Sequence, residues 1–217
     1  MKKLLWLVFL FISVTLQAQN SNEDDAHQGG FKKENLFTGG GLQLSFANST
    51  FVGGISPVLG YSINKWVDAG IVANFTYASN NHVIYEDGSG NYYYTDDRLK
   101  EIIYGPGAFV KVYPLKFLFV HAQGEMNFIS QKLDPVNGPV QRESHSVPSL
   151  LVGAGYAGGR EGVGNFFYHI SLSFDVLRRP NSPYVETLAS GRVNALPIIR
   201  AGIQVPLFSG KRLLNSL

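Results

Sequence analysis

Cysteine is absent from this sequence of 217 residues, which excludes disulfide bonds, thiol catalysis, cysteine-ligated metals and a lipid-anchored cysteine. Charge is also sparse, since Lys, Arg, Asp and Glu together make up 16% of the chain. Only one long apolar run is present, residues 4–16, and it is too short to cross a bilayer comfortably as a helix. The chain is instead rich in glycine (24 residues) and in aromatic side chains (13%), a composition that points away from helices.

The first residues have the pattern of a secretory signal peptide. Lys2 and Lys3 precede the apolar run, and small and polar residues follow it, so we expect cleavage after Ala18. Removing the two lysines leaves 16 basic against 16 acidic residues, and this balance predicts no nucleic-acid partner. The predicted segments are a signal peptide (1–18), a flexible polar leader (19–35), one folded β domain (36–208) and a C-terminal tail (209–217).

Apolar and polar residues alternate with a period of two in eight segments, which predicts eight strands. The third is the clearest, because Val67, Ala69 and Ile71 oppose Asp68 and Gly70. The eight predicted strands are approximately 37–46, 55–63, 66–77, 102–113, 118–128, 149–157, 166–176 and 198–208.

The connections between these strands alternate in length. Longer polar connections (47–54, 78–101, 129–148 and 178–197) alternate with short ones (64–65, 114–115 and 158–165). This alternation is typical of transmembrane barrels, which have long loops outside and tight turns in the periplasm. The fold class predicted is therefore all-β, an eight-stranded antiparallel up-and-down transmembrane β-barrel with both termini periplasmic.

Alternation alone does not say which face of the barrel is wet. A soluble periplasmic lipocalin-like carrier would place the apolar face inside. The polar face here is mostly Gly, Ser, Gln, Asn and Thr, whereas a wall facing water would carry many Lys and Glu. Aromatic residues fall near both ends of the apolar face, as in interfacial girdles: Tyr61, Phe166 and Tyr168 at the short turns, and Phe46, Tyr77, Phe128 and Phe174 at the long loops. We therefore expect the polar face to point inward.

Several segments resemble the small outer-membrane β-barrel proteins of Bacteroidota: "LQAQ", "GGGLQLSF", "GAFVKVYPLKFLF", "VPSLLVGAGY" and "RAGIQVPLF". They cover nearly all of the mature chain, and each is a structural rather than a catalytic pattern. The resemblance implies an outer-membrane barrel. Some relatives carry a 2-oxoglutarate decarboxylase label, but this chain has no thiamine-diphosphate motif and is far too short for that enzyme. It also departs from the usual terminal aromatic residue, since nine residues follow Phe208.

Seven ionisable side chains fall on the predicted inner face and form a predicted lumen charge network: Asp68, Lys111, His121, Glu125, His169, Asp175 and Arg200. We expect Asp68 to pair with Lys111, and Arg200 with Asp175 or Glu125, because isolated charges in a narrow lumen are costly. A plug of salt bridges is the interpretation adopted; a proton or ion path is the alternative. An eight-stranded barrel is just wide enough to be filled by side chains.

Large inward residues are available for that filling: Phe109, Phe119, Phe167 and the stems of Lys111 and Arg200. No long loop has the composition of a separate plug. The sequence therefore predicts that the strands alone fill the lumen and that no stable open channel exists.

Two motifs suggest chemistry. Gly153, Gly155 and Gly158 spell G-x-G-x-x-G, but a strand pattern follows them where a dinucleotide site needs a helix N-terminus. His169, Ser171 and Asp175 suggest a hydrolytic triad, yet His169 and Asp175 would lie roughly 20 Å apart along one strand. We predict no catalytic residue, no metal site and no cofactor.

The longest loop contains "YEDGSGNYYYTDD", which lacks the ligand spacing of a calcium loop. It is interpreted as a turn or contact surface at the outer end. The predicted contact residues of the outer loops are Tyr85, Tyr92, Tyr93, Tyr94, Arg178 and Arg179.

Three functions remain open from the sequence. The preferred one is a non-enzymatic, monomeric outer-membrane barrel that contacts membrane lipid and displays loops to an extracellular ligand or protein. The alternatives are a lipid-modifying barrel enzyme and a soluble periplasmic carrier.

Overall fold

The computed structural model describes residues 31–47, 50–81, 83–86, 92–187 and 192–208. The chain divides into two units, Met1–Lys32 and Lys33–Leu217, and the barrel belongs to the second. The predicted signal peptide, most of the predicted leader and the predicted tail lie outside the described residues. The last three leader residues, Lys33–Asn35, form a 3-10 helix that leads into the first strand.

The described residues contain twelve strands: β1 Leu36–Ala47, β2 Thr50–Asn64, β3 Val67–Asn80, β4 Val83–Glu86, β5 Tyr92–Thr95, β6 Arg98–Leu115, β7 Leu118–Asp134, β8 Gln141–Gly158, β9 Phe167–Asp175, β10 Val185–Thr187, β11 Val193–Ala195 and β12 Ile198–Pro206. Eight of them close into one barrel in the order β1, β2, β3, β6, β7, β8, β9 and β12, with β12 paired to β1. Every neighbouring pair is antiparallel. The predicted fold class is confirmed.

Two of the predicted long connections are mostly strand. β1 and β2 remain paired as far as Ala47 and Thr50, and β7 and β8 extend to Asp134 and Gln141. The prediction that residues 47–54 and 129–148 are loops is therefore wrong. The upper part of β8 is polar on both faces, and the upper parts of β6 and β7 mix charged with apolar residues. The alternation therefore disappears there although the backbone ladder continues.

The two remaining long connections each contain a small hairpin. β4 pairs with β5 and β10 pairs with β11, apart from the barrel ring. These connections define the long-loop end of the barrel; the turns 65–66, 116–117 and 159–166, with both chain ends of the barrel, define the short-turn end. The backbone of Tyr85 lies in β4 and that of Tyr92, Tyr93 and Tyr94 in β5. The tip between these strands lies outside the described residues.

The polar row of β7 points into the barrel. Gln123 and Glu125 are buried, with Glu125 only 6% exposed, whereas Val120 and Met126 on the opposite face are 47% and 41% exposed. The predicted orientation of this row is confirmed, and the exposed apolar face favours the membrane barrel over the soluble carrier. No helix among the described residues has the length and apolar character to cross a membrane.

The G-x-G-x-x-G segment lies within β8, and a turn and β9 follow it. A Cβ added at Gly155 would lie 2.4 Å from the ring of Phe119, and one at Gly153 would lie 2.1 Å from the Leu172 carbonyl oxygen. Because these glycines have no side chain, they leave room for the ring of Phe119 and for the backbone of the neighbouring strand β9. A nucleotide-binding helix does not follow them, as the strand pattern predicted.

Candidate functional site: the barrel lumen

A cluster of rings and one ion pair close the short-turn end of the lumen. Tyr113, Phe119, Ala157 and Phe167 pack together as a buried cluster. The guanidinium of Arg160 lies 3.6 Å from the centroid of the Tyr113 ring. This lower layer fills the barrel cross-section with aromatic side chains, as expected for eight strands.

Arg160 also provides the ion-pair partner of Asp68. Its guanidinium is 3.7 Å from the Asp68 carboxylate, and both side chains are buried. The Arg160 guanidinium also donates a hydrogen bond to the Lys65 carbonyl oxygen at 3.1 Å. The side-chain amide of Gln204 donates a hydrogen bond to the Asp68 carboxylate at 3.2 Å. Because Arg160 belongs to the turn between β8 and β9, it anchors that turn to the base of the lumen.

The sequence prediction paired Asp68 with Lys111 instead. The two residues do stand opposite each other in the β3–β6 register. The Lys111 Nζ, however, lies 5.4 Å from the ring centroids of both Phe109 and Phe119, and the ion pair recorded for Asp68 is with Arg160. Arg160 was missed because turn residues were assumed to stay outside. The sequence feature that could have indicated Arg160 is the presence of an arginine in a glycine-rich connection that is longer than the other short turns.

The upper layer of the lumen is a chain of hydrogen bonds that ends on Asp175. Asn127 donates to the Ser149 hydroxyl at 3.1 Å, this hydroxyl contacts that of Ser182 at 3.1 Å, and Ser182 donates to Asp175 at 2.7 Å. The other Asp175 oxygen accepts from the backbone N–H groups of residues 150 and 177, both at 3.1 Å. Neutral donors therefore hold this carboxylate.

A loop residue, Tyr184, completes the upper layer. It is 7% exposed and packs with Leu151 and Ile198 inside the barrel. Arg200 donates to its hydroxyl at 3.2 Å. Burial raises the pKa of Tyr184 above its ordinary value, and the negative charge of the Glu125 carboxylate acts in the same direction. Tyr184 therefore lies between Arg200 and Glu125 as a neutral phenol.

This arrangement corrects two predictions. The ion pairs recorded between described residues do not include Arg200 with Asp175 or with Glu125, because Asp175 is satisfied by Ser182 and backbone amides. The lumen is also not filled by strands alone, since Arg160 comes from a turn and Tyr184 from a loop. The signal for the second was the segment "PNSPY", in which two prolines restrict the chain just before a large ring.

Glu125 lies between the layers and accepts hydrogen bonds from amides. Gln123 donates to it at 2.8 Å, and Asn74 donates to the same oxygen. The triad that the sequence suggested, and that its spacing argued against, is not assembled in the described lumen: Asp175 bonds to Ser182, and the Nδ1 atom of His169 has no hydrogen-bond partner. Among the described residues, no group of His, Asp and Glu could hold a metal ion.

A cavity remains at the centre of the lumen, between the two layers. Its volume is about 50 Å³, which is room for about three to five waters at roughly 10–15 Å³ each. Organic ligands need pockets of roughly 300–1,000 Å³. The cavity is therefore too small for a drug-sized substrate.

Of the predicted contact residues of the outer loops, the two arginines have described side chains. Arg178 and Arg179 are exposed just after β9, and Arg178 has a left-handed backbone with φ of 46°. The side chains of Tyr85, Tyr92, Tyr93 and Tyr94 lie outside what the structure describes.

The barrel is similar to two surface proteins of known structure. Ail, the attachment invasion locus protein of Yersinia pestis, in complex with the heparin analogue sucrose octasulfate, matches at 11% identity and a TM-score of 0.40, over 78% of this chain and 94% of Ail. Neisserial surface protein A (NspA) matches at 16% identity and a TM-score of 0.40, over 79% and 94%. No protein-family model and no curated protein matches the chain. Likeness at this level assigns no function.

Proposed function

We propose that this protein is an integral outer-membrane barrel with a side-chain-filled lumen, which displays its long loops outside the cell and has no enzymatic activity. The observation that carries the proposal is the apolar exterior. Large apolar side chains are exposed on every barrel strand whose side chains are described, while the buried side chains of the barrel include Asp68, Asn74, Glu125, Asn127 and Asp175. A soluble monomer rarely exposes apolar patches above a few hundred Å².

Exposed aromatic rings mark two edges of this apolar belt. Near the short-turn end, the rings of Tyr156 and Tyr168 lie 6.3 Å apart, and Phe117 lies 6.3 Å from Tyr156. Towards the long-loop end, Tyr104 stacks on Phe128 at 5.5 Å. Paired bands of this kind are characteristic of the two membrane interfaces.

The separation of the bands fits a bilayer. From Trp66 to Phe75, both exposed, the chain rises by about 30 Å at roughly 3.3 Å per residue. A strand tilt of about 40° reduces this to about 23 Å along the barrel axis, and transmembrane barrels have apolar bands about 25 Å tall. Together with the predicted signal peptide, this supports an outer-membrane location with both termini periplasmic.

The way the lumen is occupied supports the proposal that the protein has no enzymatic activity. The candidate nucleophile pair that the sequence suggested, His169 and Ser171, lies inside the barrel and beside a cavity of about 50 Å³. A lipid-modifying enzyme would need such a pair at the lipid-facing surface. The proposed partners are therefore outer-membrane lipid around the belt and an extracellular ligand or protein at the long loops, with Arg178, Arg179 and the tyrosines of β4 and β5 as contact residues. The proposed oligomeric state is a monomer.

Fractionation and gel mobility test this proposal. Because a closed barrel pairs its backbone groups internally, unboiled protein should stay folded in SDS and run at a different position from boiled protein. The protein should be recovered in the outer-membrane fraction. A single unshifted band together with recovery in the soluble periplasm would contradict the membrane location. Lipid A mass spectra of a deletion strain test the enzymatic alternative, and an altered acyl pattern would favour it.

A further inference from the structure

The central cavity is lined by basic side chains. Lys111, His121, His169 and Arg200 all face it, together with the hydroxyl-bearing Ser171. Among the described residues no Asp or Glu lines it. A space lined by a lysine, an arginine and two imidazoles has a positive local potential when the lysine and the arginine are charged.

The nearest carboxylates are held by other groups. Asp68 is bound by Arg160 and by Gln204. Glu125 accepts from two side-chain amides, and Asp175 accepts from a hydroxyl and two backbone N–H groups. None of these three acids is among the residues that line the cavity.

The two cations at the cavity have only neutral partners. Lys111 contacts the faces of two phenylalanine rings, and such contacts offset only part of the cost of removing an ammonium from water. Arg200 donates to the Tyr184 hydroxyl, and its Nε atom has no partner. The Nδ1 atoms of His121 and His169 are also without partners. One arginine N–H and two imidazole nitrogens at the cavity are therefore without hydrogen-bond partners.

We propose that the cavity binds one small inorganic anion of the size of chloride, held between Lys111 and Arg200. The Lys111 ammonium, the Arg200 Nε–H and the Ser171 hydroxyl are its donors, and an imidazole that carries its proton on Nδ1 can add another. The volume of about 50 Å³ holds such an ion with one or two waters. The anion provides a charged hydrogen-bond acceptor inside the cavity lining, and it joins the lower and upper layers.

Bromide is the probe, because it replaces chloride and scatters anomalously. Crystals of the complete barrel soaked in sodium bromide should show an anomalous peak between Lys111 and Arg200. Calorimetric titration of the detergent-solubilised protein with bromide, against a background of gluconate, should give saturable binding. A water-only cavity, without an anomalous peak or bromide heat, would overturn the proposal. Binding of sulfate but not bromide would overturn the assigned size.

Matched variants connect the binding to the site. Lys111→Met should weaken bromide affinity by roughly 10- to 100-fold, the effect of removing a hydrogen bond to a charged group. Lys132→Met, which removes an exposed lysine that pairs with Asp134, should leave it unchanged. If Lys111→Met fails the gel-shift test of folding, Ser171→Ala, which keeps both cations, should still reduce affinity severalfold. Equal affinity in a folded Lys111→Met variant and in wild type would also overturn the proposal.

Discussion

At the scale of single residues, the ion pair of Arg160 with Asp68 is the most consequential contact at the short-turn end. Replacing Arg160 by Met keeps an apolar stem above Tyr113 but leaves Asp68, which is fully buried, without its cation. Breaking a buried pair from one side costs roughly 3–5 kcal/mol. We expect the urea midpoint of Arg160→Met in detergent to fall accordingly, as measured from the folded band on unboiled gels.

Two further variants test whether the loss of stability in Arg160→Met comes from the ion pair with Asp68. Arg160→Met combined with Asp68→Asn removes both charges and should recover part of the stability. Lys132→Met, at an exposed pair, should change stability by about 0–1 kcal/mol. If the losses of Arg160→Met and Asp68→Asn simply add, the two side chains do not interact in the folded barrel.

Gly60 tests the packing of rings against glycine at a second position. A Cβ at Gly60 would lie 2.2 Å from the ring of Phe37, and its three nearest atoms all belong to that ring. Gly60→Ala should therefore destabilise the barrel by about 1–3 kcal/mol, as overpacking does. The urea midpoint again measures the change.

Gly124 provides the matched control, because a Cβ there has nothing within 4 Å. Gly124→Ala should be close to neutral. Combining Gly60→Ala with Phe37→Leu should recover stability relative to Gly60→Ala alone. A neutral Gly60→Ala would show that the ring of Phe37 does not occupy this position.

At the scale of elements, the connection between β9 and β10 (residues 176–184) is tied to the lumen by Ser182 and Tyr184. Tyr184→Ala removes the ring that packs on Leu151 and Ile198 and the hydroxyl that Arg200 contacts. Opening of this loop should become more frequent, so tryptic cleavage after the exposed Arg178 should become at least roughly tenfold faster. Such an increase requires the free energy of loop opening to fall by only about 1.4 kcal/mol. Mass spectrometry of the fragments measures the rate at that bond.

Tyr156→Ala is the control for this experiment, because it removes a ring from the outer face of β8. The cleavage rate after Arg178 should stay at the wild-type value. Tyr184→Phe, which keeps the ring but not the hydroxyl, should fall between wild type and Tyr184→Ala. Equal cleavage in all four proteins would mean that Tyr184 does not hold the loop.

At the scale of the whole molecule, the barrel should not conduct. Its lower layer is filled by the Tyr113 cluster and Arg160, its upper layer by Tyr184, and the cavity between them has a volume of about 50 Å³. Pores with a water channel use about 16 strands. Planar bilayers containing the purified protein should therefore show no unitary conductance. Reproducible conductance that changes when Glu125 or Arg200 is replaced would contradict a filled lumen.

The sequence by itself determined the ring of eight strands and its orientation. A period of two forces alternate residues to opposite faces, so the position of the row that contains Gln123 and Glu125 followed once small polar residues were recognised as interior. The strand segments containing Trp66–Tyr77 and Leu118–Phe128 were therefore located correctly. The ends of the strands nearest the long loops were not located correctly. Beyond the apolar belt the strands lose the alternation of apolar and polar residues on which the prediction depends.

Only the tertiary structure decided the partners of the buried charges. Register brought Lys111 opposite Asp68, but the ion pair went to Arg160, from a turn distant in sequence from Asp68. Arg200 likewise contacts Tyr184 from a loop rather than Asp175. The physical reason is that periodicity describes residues within a strand, whereas a closed barrel lets a turn or loop reach the lumen from either end. The side chains that enter the lumen are those that fit the space left by the strands and form hydrogen bonds with its buried polar groups.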